Sequence, residues 1–218
     1  MKKRLLIGIT LLLLFTTYKP HKLFLIEKFI IDEIKIENNT ILKEKEIKKD
    51  LISIYETNLL FLKSSEIAKI LNENSFIDSF EIKKIYPNKI KIKIFEKKPI
   101  AILQYKKKKF YISQKIDLIN YSDLDKYKNL PIVFGNKESF KIFYNNLKKI
   151  NFPLNHIKSF YLYESNRWDL ETYNNKLVKL PIKNYLENLE NFKNLSKENN
   201  FEKYQVFDYR INDQLILK

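Results

Sequence analysis

The alternating stretch KIKIKI at positions 89–94 is the feature that most limits how this chain can fold. Ile90, Ile92 and Ile94 alternate with lysines, and successive side chains of a β-strand point to opposite faces. The stretch therefore predicts a half-buried strand, with the isoleucines against a cover and the lysines in water. Pro99 follows shortly afterwards, and because proline has no amide hydrogen to donate, we expect it to close this unit and open a second one.

Two short amphipathic helices upstream of this strand are the predicted cover. Their apolar positions at helical spacing are Ile47, Leu51 and Ile54 in the first helix and Ile67, Ile70 and Leu71 in the second. Ser64 is the candidate cap of the second helix, and Glu66 lies in its first turn.

Two further strands complete the first unit. The segment FIIDEIKIENN predicts a strand in which Ile30, Ile34 and Ile36 share one side. A hairpin turn at Pro87-Asn88 joins another strand to the alternating one, since these residues suit the central positions of a turn. The predicted order is strand, helix, helix, strand, strand.

Residues 99–218 are predicted to form a mostly antiparallel β domain with two helices. The strand candidates are Ile100–Tyr105, Phe110–Ile112, Ile116–Ile119, Ile132–Phe134, Ile157–Tyr163, Trp168–Tyr173, Lys176–Leu180, Tyr204–Ile211 and Gln214–Leu217. The helix candidates are Glu138–Ile150 and Pro181–Leu195. Hairpin turns are expected at Lys106–Lys109, Asn174-Asn175 and Asn212-Asp213. The final strand has no successor, so we expect it at a sheet edge.

The apolar run Leu5–Tyr18 indicates entry into a membrane. As a helix its 14 residues would be roughly 21 Å long, which fits either a short anchor or the core of a cleaved signal peptide. No small-residue cleavage site follows, so an uncleaved anchor is favoured over a signal peptide and over a buried helix of a soluble protein. The basic residues before the run would keep residues 1–4 in the cytoplasm and export the rest of the chain.

Charge and composition narrow the possible classes of function. The net charge of +15 invites a nucleic-acid interpretation. However, only three of the 41 basic residues are arginines, and phosphate or base recognition favours the planar guanidinium group. A solvated lysine surface is therefore preferred to a polyanion-binding one. The chain has no cysteine, so it contains neither disulfides nor thiolate metal sites.

No catalytic, cofactor or metal site is predicted. His21 and His156 have no metal-ligand neighbours at helical spacing, and glycine-rich phosphate loops and nucleophile motifs are absent from the sequence. Trp168 is interpreted as a core residue in preference to a recognition anchor. Arg167 and Arg210 are the two arginines beyond the apolar run. Each has two open interpretations: a structural pair with Asp169 or another acid, or a contact with a partner.

With these elements placed, almost the whole chain resembles the FtsQ/DivIB family of bacterial cell-division proteins. The matching segments are IKIENNTIL (34–42), TNLLFL (57–62), FIDSFEIKKIYPNKIKIKIFEKKPIAIL (76–103), LPIVFG (130–135), RWDLETYNNKLVKL (167–180) and FDYRI (207–211). The chain departs from the family pattern at several places. Asn38, Glu56, Asn175 and Pro181 stand at frequent glycine positions, and Ile211 replaces a usual aromatic residue.

The resemblance implies an α+β protein with an N-terminal transmembrane helix (5–18), a POTRA domain (29–98) and an FtsQ-type β domain (99–218). It implies a non-enzymatic scaffold of the inner membrane that is periplasmic in its bulk and gathers at midcell during septation. The implied partners are FtsB and FtsL, with other division proteins at the POTRA domain and membrane helix, and with neither nucleic acid nor a small-molecule substrate.

The same resemblance points to the terminal region as the place where FtsB adds a strand. The expected partner-binding residues are Arg167, Tyr209, Arg210, Gln214, Leu215, Ile216 and Leu217. Two alternatives stay open on the residues alone: a POTRA-bearing accessory of envelope transport or assembly, and an anchored lysine-rich polyanion binder.

Overall fold

The structure is a computed structural model that describes residues 2–17, 27–198, 200–211 and 214–218. The chain divides into two compact units, Met1–Glu96 and Lys97–Lys218. The sequence predictions that concern Tyr18, His21 and the Asn212-Asp213 turn fall outside the described residues.

The N-terminal unit begins with helix α1 (Lys2–Thr17), which has 16 residues. None of the helices in the described ranges has both the length and the apolar character that crossing a membrane requires, so the predicted transmembrane span is not found there. The elements that follow are β1 (Glu33–Glu37), α2 (Glu44–Asp50), α3 (Ser64–Asn72), β2 (Ile77–Ile85) and β3 (Lys89–Glu96). Their order is the predicted one.

These three strands form a sheet of order β1-β3-β2, with β3 parallel to β1 and antiparallel to β2. The alternation in β3 works as predicted. Ile90, Ile92 and Ile94 are buried and pack with the apolar faces of both helices, whereas Lys89 and Lys91 form ion pairs with glutamates of β1 on the other face. The hydrophobic contribution of β3 therefore comes from one face only.

Three local predictions in this unit are wrong. Helix α2 ends at Asp50, so Leu51 and Ile54 lie beyond it, with Ile54 in a short 3₁₀ helix. Ile30 is not part of β1 and is 36% exposed, while its neighbour Ile31 is buried. The backbone there makes an isolated bridge between Ile30 and Asn58, so the alternation of buried and exposed side chains in β1 does not extend back to Ile30. The residue that precedes α3 is Lys63, not Ser64, and its amide donates to the carboxylate of Glu66 at 3.3 Å.

The C-terminal unit is a nine-stranded sheet with two α-helices. Its strands are β4 (Pro99–Tyr105), β5 (Lys108–Ser113), β6 (Leu118–Asn120), β7 (Ile132–Phe134), β8 (Ile157–Leu162), β9 (Trp168–Thr172), β10 (Leu177–Lys179), β11 (Val206–Asp208) and β12 (Ile216–Leu217). The helices are α4 (Lys137–Lys149) and α5 (Tyr185–Leu195). The strand order is β12-β11-β10-β9-β8-β7-β4-β5-β6.

Most neighbouring strands in this sheet are antiparallel, as predicted. Three pairs are parallel, namely β4 with β7, β7 with β8, and β10 with β11. The last of these pairs is made possible by α5, which lies between β10 and β11 in sequence and provides the crossover that a parallel pair needs.

One face of the sheet carries the core of this unit. Phe160, Leu170, Val178 and Phe207 are buried in the same cluster as side chains of both helices. Phe143 of α4 stacks on Trp168 at a centroid distance of 4.8 Å, so the core interpretation of that tryptophan is confirmed. Residues that alternate with these in the strands therefore lie on the opposite face, which we call the open face.

Several predicted elements are shorter than expected. The strand predicted at Ile116–Ile119 starts at Leu118 because Ile116 has φ 64° and forms a turn. The helix predicted from Pro181 starts at Tyr185, because Asn184 before it has φ 57°. The last two strands shrink to Val206–Asp208 and Ile216–Leu217. Hydrophobic alternation predicted where these strands lie, but it did not predict the residues at which their hydrogen-bonded ladders end.

Candidate functional site

The last strand, β12, lies at one edge of the C-terminal sheet, as predicted. Among the described strands its neighbour is β11, with Phe207 opposite Leu217 and Asp208 opposite Ile216. An edge strand presents backbone donors and acceptors along its outer side, where another chain can pair with it. This edge is therefore the first candidate for a binding surface.

The register of β12 determines which of its backbone groups point outward. Val206 and Lys218 exchange both bonds of a hydrogen-bonded pair, at 2.9 Å and 3.1 Å. Inward and outward residues alternate along an antiparallel ladder, so Ile216 also directs its amide and carbonyl toward β11. The amide and carbonyl of Leu217 then point away from the sheet. The outward-facing position in β12 is Leu217, not Ile216.

Arg210 forms a fork-shaped ion pair beside this edge. Its Nη2 and Nε atoms donate to the carboxylate of Asp208 at 2.6 Å and 2.8 Å, and its backbone amide donates to the same carboxylate at 3.1 Å. The Arg210 hydrogen bonds hold the pKa of Asp208 below its usual range, and Asp208 raises the pKa of Arg210 in return. The Arg210 side chain remains 44% exposed, so the charge is presented to solvent.

Arg167 repeats the same arrangement two strands further in. Its Nε donates to Asp169 at 3.2 Å, and its guanidinium lies 4.3 Å from the centre of the Tyr163 ring. Both arginines therefore pair with an acid two residues away, which is the structural interpretation of these residues. Contact with a partner is an additional use that the pairs leave open, since the side chains of Arg167 and Arg210 are 22% and 44% exposed while the two acids are buried.

A row of charges connects the two arginine pairs across the sheet. Asp169 of β9 is opposite Lys179 of β10, and Lys179 is opposite Asp208 of β11. The row reaches the edge at Ile216, which is opposite Asp208. Sequence reasoning missed Lys179 as a member because its place depends on the parallel pairing of β10 and β11. The available signal was that each arginine has an acid two positions away.

Tyr209 is the predicted site residue that the structure places elsewhere. Its ring is buried, and its hydroxyl donates to Oδ1 of Asn191 in α5 at 2.9 Å. Burial raises the pKa of this phenol, so the group is neutral. Tyr209 alternates with Asp208 and Arg210 along the chain, and this turns it toward the helices. Its buried ring supports the edge from behind, and Tyr209 also lines a groove beside Gln214 and Leu215.

The other predicted residues lie on or beside the edge. Gln214 is exposed, Ile216 is 37% exposed, and Leu215 and Leu217 are half-buried against the core. A groove of about 500 Å³ runs beside them, lined by Lys183, Glu187, Asn191, Tyr209, Gln214 and Leu215 among others. The groove is polar at its α5 side and could receive hydrogen-bonding side chains of a bound segment.

Aromatic residues continue the open face away from the charges. Tyr161 of β8 is opposite both Asp169 and Phe134 of β7, and the Tyr161 and Phe134 rings stack at 5.0 Å with an interplanar angle of 3°. Within the described ranges, no group of three or more histidine, aspartate or glutamate side chains is arranged to hold a metal ion. What the geometry offers is an open strand edge beside a charged and aromatic surface.

Two family descriptions match the chain. Residues 29–97 match the POTRA domain of FtsQ type, and residues 101–210 match the C-terminal domain of the cell division protein FtsQ/DivIB. The second match ends before β12, so the edge strand itself lies beyond it.

Curated relatives with the name Cell division protein FtsQ agree with these matches. The protein of Rickettsia bellii is 31% identical over 194 residues, which cover 86% of this chain and 69% of that protein. The protein of Rickettsia typhi is 28% identical over 188 residues, which cover 84% and 70%. The similarity extends to Rhizobium meliloti, at 24% identity over 71% of this chain and 51% of that protein.

Proposed function

The chain belongs to the FtsQ/DivIB family of cell division proteins, and from that premise we propose that it is a non-catalytic, membrane-anchored scaffold of the divisome. In this role it binds FtsB and FtsL through its periplasmic β domain during septum formation. Its POTRA domain and membrane helix contact other division proteins. The observation that carries the proposal is the free edge of β12 with the outward backbone groups of Leu217.

Strand addition is the binding mode we propose for FtsB. A guest strand would pair with the outward amide and carbonyl of Leu217, and such main-chain bonds give affinity with little demand on side-chain identity. The strand has two residues and is followed by the charged Lys218, and both features limit self-pairing. The groove beside Gln214 and Leu215 would hold side chains of the guest segment.

Arg210 and Arg167 would contribute orientation. Both guanidinium groups are held in place by an acid, and an acidic partner residue would add to these networks without ordering a flexible cation first. Arg210 is nearer to the edge and more exposed than Arg167, so it is the stronger candidate for direct contact.

Helix α1 is the proposed anchor in the inner membrane. Its described apolar side chains are exposed on all sides, including Leu6, Leu12 and Phe15, so a bilayer would remove a large apolar surface from water. A helix of 16 residues is about 24 Å long, and a locally thinned bilayer would accommodate it. Lys2, Lys3 and Arg4 before the apolar run favour a cytoplasmic N-terminus and a periplasmic bulk.

The test is calorimetric titration of the full chain, in lipid nanodiscs, with the periplasmic segment of FtsB. Leu217→Pro removes the outward amide and should abolish binding while the sheet stays folded, because an edge tolerates proline better than a centre. Ile216→Pro is the matched control. It removes an amide that points toward β11, so it should weaken the pairing of β12 with β11. Unchanged affinity in a folded Leu217→Pro variant would sink the edge-strand mechanism.

Arg210→Ala should weaken FtsB binding more than Lys203→Ala, which also removes one exposed cation from this unit. Binding should also persist at about 0.3 M salt, whereas a lysine-driven polyanion interaction would fall steeply with salt. In dividing cells a fluorescent fusion should form a band at midcell. An even distribution around the cell during constriction would remove the divisome role altogether.

A further inference from the structure

The sheet of the POTRA domain has two ends of opposite character. Because β1 and β3 are parallel and β2 is antiparallel to β3, the starts of β1 and β3 lie at the same end as the finish of β2. Glu33 is opposite Lys89, and Lys89 is opposite Ile85. The chain enters the domain at this end and leaves it, at Glu96, from the other.

Three separate segments meet at the entry end. Ile30 bridges to Asn58, and the amide of Leu59 donates to the carbonyl of Phe29 at 2.8 Å. The ring of Phe29 contacts the ring of Tyr86 edge-on at 6.2 Å. The Nζ atom of Lys84 donates to the Leu59 carbonyl at 2.7 Å and so holds the segment around Leu59 in place. The segment 58–61 is therefore fixed beside residues 29–30 and 86.

The side chains at this end are large, apolar and exposed. Phe61 is 75% exposed, Tyr86 57% and Leu60 49%, and Ile30 and Ile85 are also open to solvent. We call these five residues the apolar end. The exit end carries polar groups instead, including Asn38, Thr40 and the carboxylate of Glu96, which accepts hydrogen bonds from the amides of the loop 40–42. An exposed cluster of large apolar side chains marks an interaction surface.

Chain connectivity limits how far this surface can lie from α1. The described chain resumes at Glu27, ten Cα steps after Thr17 (27 minus 17), and ten steps span at most about 35 Å. The sequence between them includes Lys19, Lys22 and the apolar run Leu23–Ile26. Apolar and aromatic residues interspersed with lysines are the composition that proteins use at the boundary of a bilayer.

We propose that the apolar end of the POTRA domain rests in the headgroup region of the bilayer that holds α1. Phe61, Leu60 and Ile30 enter the boundary of the acyl chains, and Tyr86 sits at the level of the headgroups. Lys28 and Lys63, both exposed and adjacent to this end, reach the lipid phosphates. This inference rests on the proposed anchoring of α1, and it assigns to the connector TNLLFL a role as a second, peripheral membrane contact.

The test uses the full chain in vesicles of phosphatidylethanolamine and phosphatidylglycerol. Because the chain has no cysteine, single labels can be introduced without changing native residues elsewhere. An environment-sensitive fluorophore is attached to Phe61→Cys at the apolar end, to Glu73→Cys near the exit end, and to Leu12→Cys in α1. Quenching is measured with nitroxide-labelled lipids and with iodide in the buffer.

We expect lipid quenching at positions 12 and 61, with at least a threefold lower effect at position 73. Quenching at 12 without quenching at 61 would overturn this inference and leave the anchor in place. Absence of quenching at 12 would overturn the anchor itself. Protection of position 61 from iodide without lipid quenching would mean that protein, such as a second copy of the chain, covers the apolar end.

A second variant tests whether the apolar side chains themselves, and not the attached fluorophore, contact the lipid. Leu60→Ser combined with Phe61→Ser removes exposed side chains that contribute nothing to the buried core of the domain. With the fluorophore at Tyr86→Cys, this change should reduce lipid quenching at position 86 at least twofold. Equal quenching at position 86 with and without the two serines would contradict the proposed contact.

Discussion

Single residues in this chain adopt backbone conformations that other proteins give to glycine. In the part of the chain that the structure describes, eight non-glycine residues have positive φ angles, and five of them are asparagines. Asn38 and Asn175 were predicted to tolerate this conformation, and both do, at φ 65° and 58°. Glu56 and Ile116 do so as well, although neither residue type favours it. Residue type indicates the first group. Glu56 is indicated only by its place at a frequent glycine position of the family, and Ile116 is not indicated by the sequence, because there the tertiary structure imposes the conformation.

Replacing Glu56 with glycine should stabilise the N-terminal unit. Glu56 is exposed at φ 65°, so Glu56→Gly relieves backbone strain without loss of packing. The expected gain in unfolding free energy is about 0.5–1 kcal/mol, after allowance for the freer unfolded chain. Asn38→Gly is the control, because it also removes the hydrogen bond from Asn38 to the carbonyl of Ile94 and should bring no gain. Urea unfolding followed by circular dichroism compares them.

The facing of β3 can be tested with neighbouring substitutions. Ile92 is fully buried between the sheet and the helices, so Ile92→Asp places an unpaired charge in the core and should cost several kcal/mol. Lys91→Asp lies on the opposite face and loses one ion pair with Glu37, worth about 1 kcal/mol or less. Thermal melts monitored by circular dichroism should separate the variants clearly. Similar melting temperatures would contradict the assignment of faces.

At the scale of elements, the sequence predicted the type and order of nearly every helix and strand, but not their lateral pairing. Alternation and helical spacing are local patterns, so they locate β3 or α4 reliably. The parallel pairing of β10 with β11 depends on contacts across α5, and the burial of Lys176 depends on it too. That lysine donates to the carbonyls of Phe201 and Tyr204, which are 25 and 28 residues away. The Asp169–Lys179–Asp208 row could not be predicted for the same reason.

The ion pair between Asp208 of β11 and Arg210 makes the stability of the folded state depend on pH. Arg210 lowers the pKa of Asp208, so the pair stabilises the folded state above the unfolded pKa of about 3.9 and loses this effect as the pH falls through the lower folded value. Arg210→Ala should therefore reduce the unfolding free energy by on the order of 1 kcal/mol at pH 6, with a smaller difference near pH 3.

The fluorescence of Trp168, the sole tryptophan, reports the difference in unfolding free energy between the native chain and Arg210→Ala, because Trp168 is buried in the same unit. Urea titrations of both proteins in detergent at the two pH values give the comparison. A difference that is the same at pH 6 and pH 3 would show that Arg210 acts through packing and not through the charge of Asp208.

At the scale of the whole molecule, the proposed anchor at the N-terminus can be tested by asking whether it is cleaved. The apolar run lacks the small residues that a signal peptidase needs, so the mature chain should still begin near Met1. Intact-mass spectrometry of protein purified from membranes checks this directly. A chain that begins near residue 20 would mean cleavage and release from the anchor.

The parallel pairing of β1 and β3 has a mechanical consequence. Tension between a fixed anchor and a pulled C-terminal domain enters the POTRA domain ahead of β1 and leaves it after β3. It drags two adjacent parallel strands past each other, so their hydrogen bonds bear the load together in shear. At the exit, the Glu96 carboxylate is clamped by the amides of Ile41 and Leu42.

Pulling instead through Ile77 and Glu96, which are opposite each other in an antiparallel pair, would peel the strands apart bond by bond. In optical tweezers, attachment at residues 27 and 96 should therefore require a higher rupture force than attachment at 77 and 96. Equal forces would refute the shear geometry. A domain loaded in this way would act as a stiff link between the chain segments on either side of it.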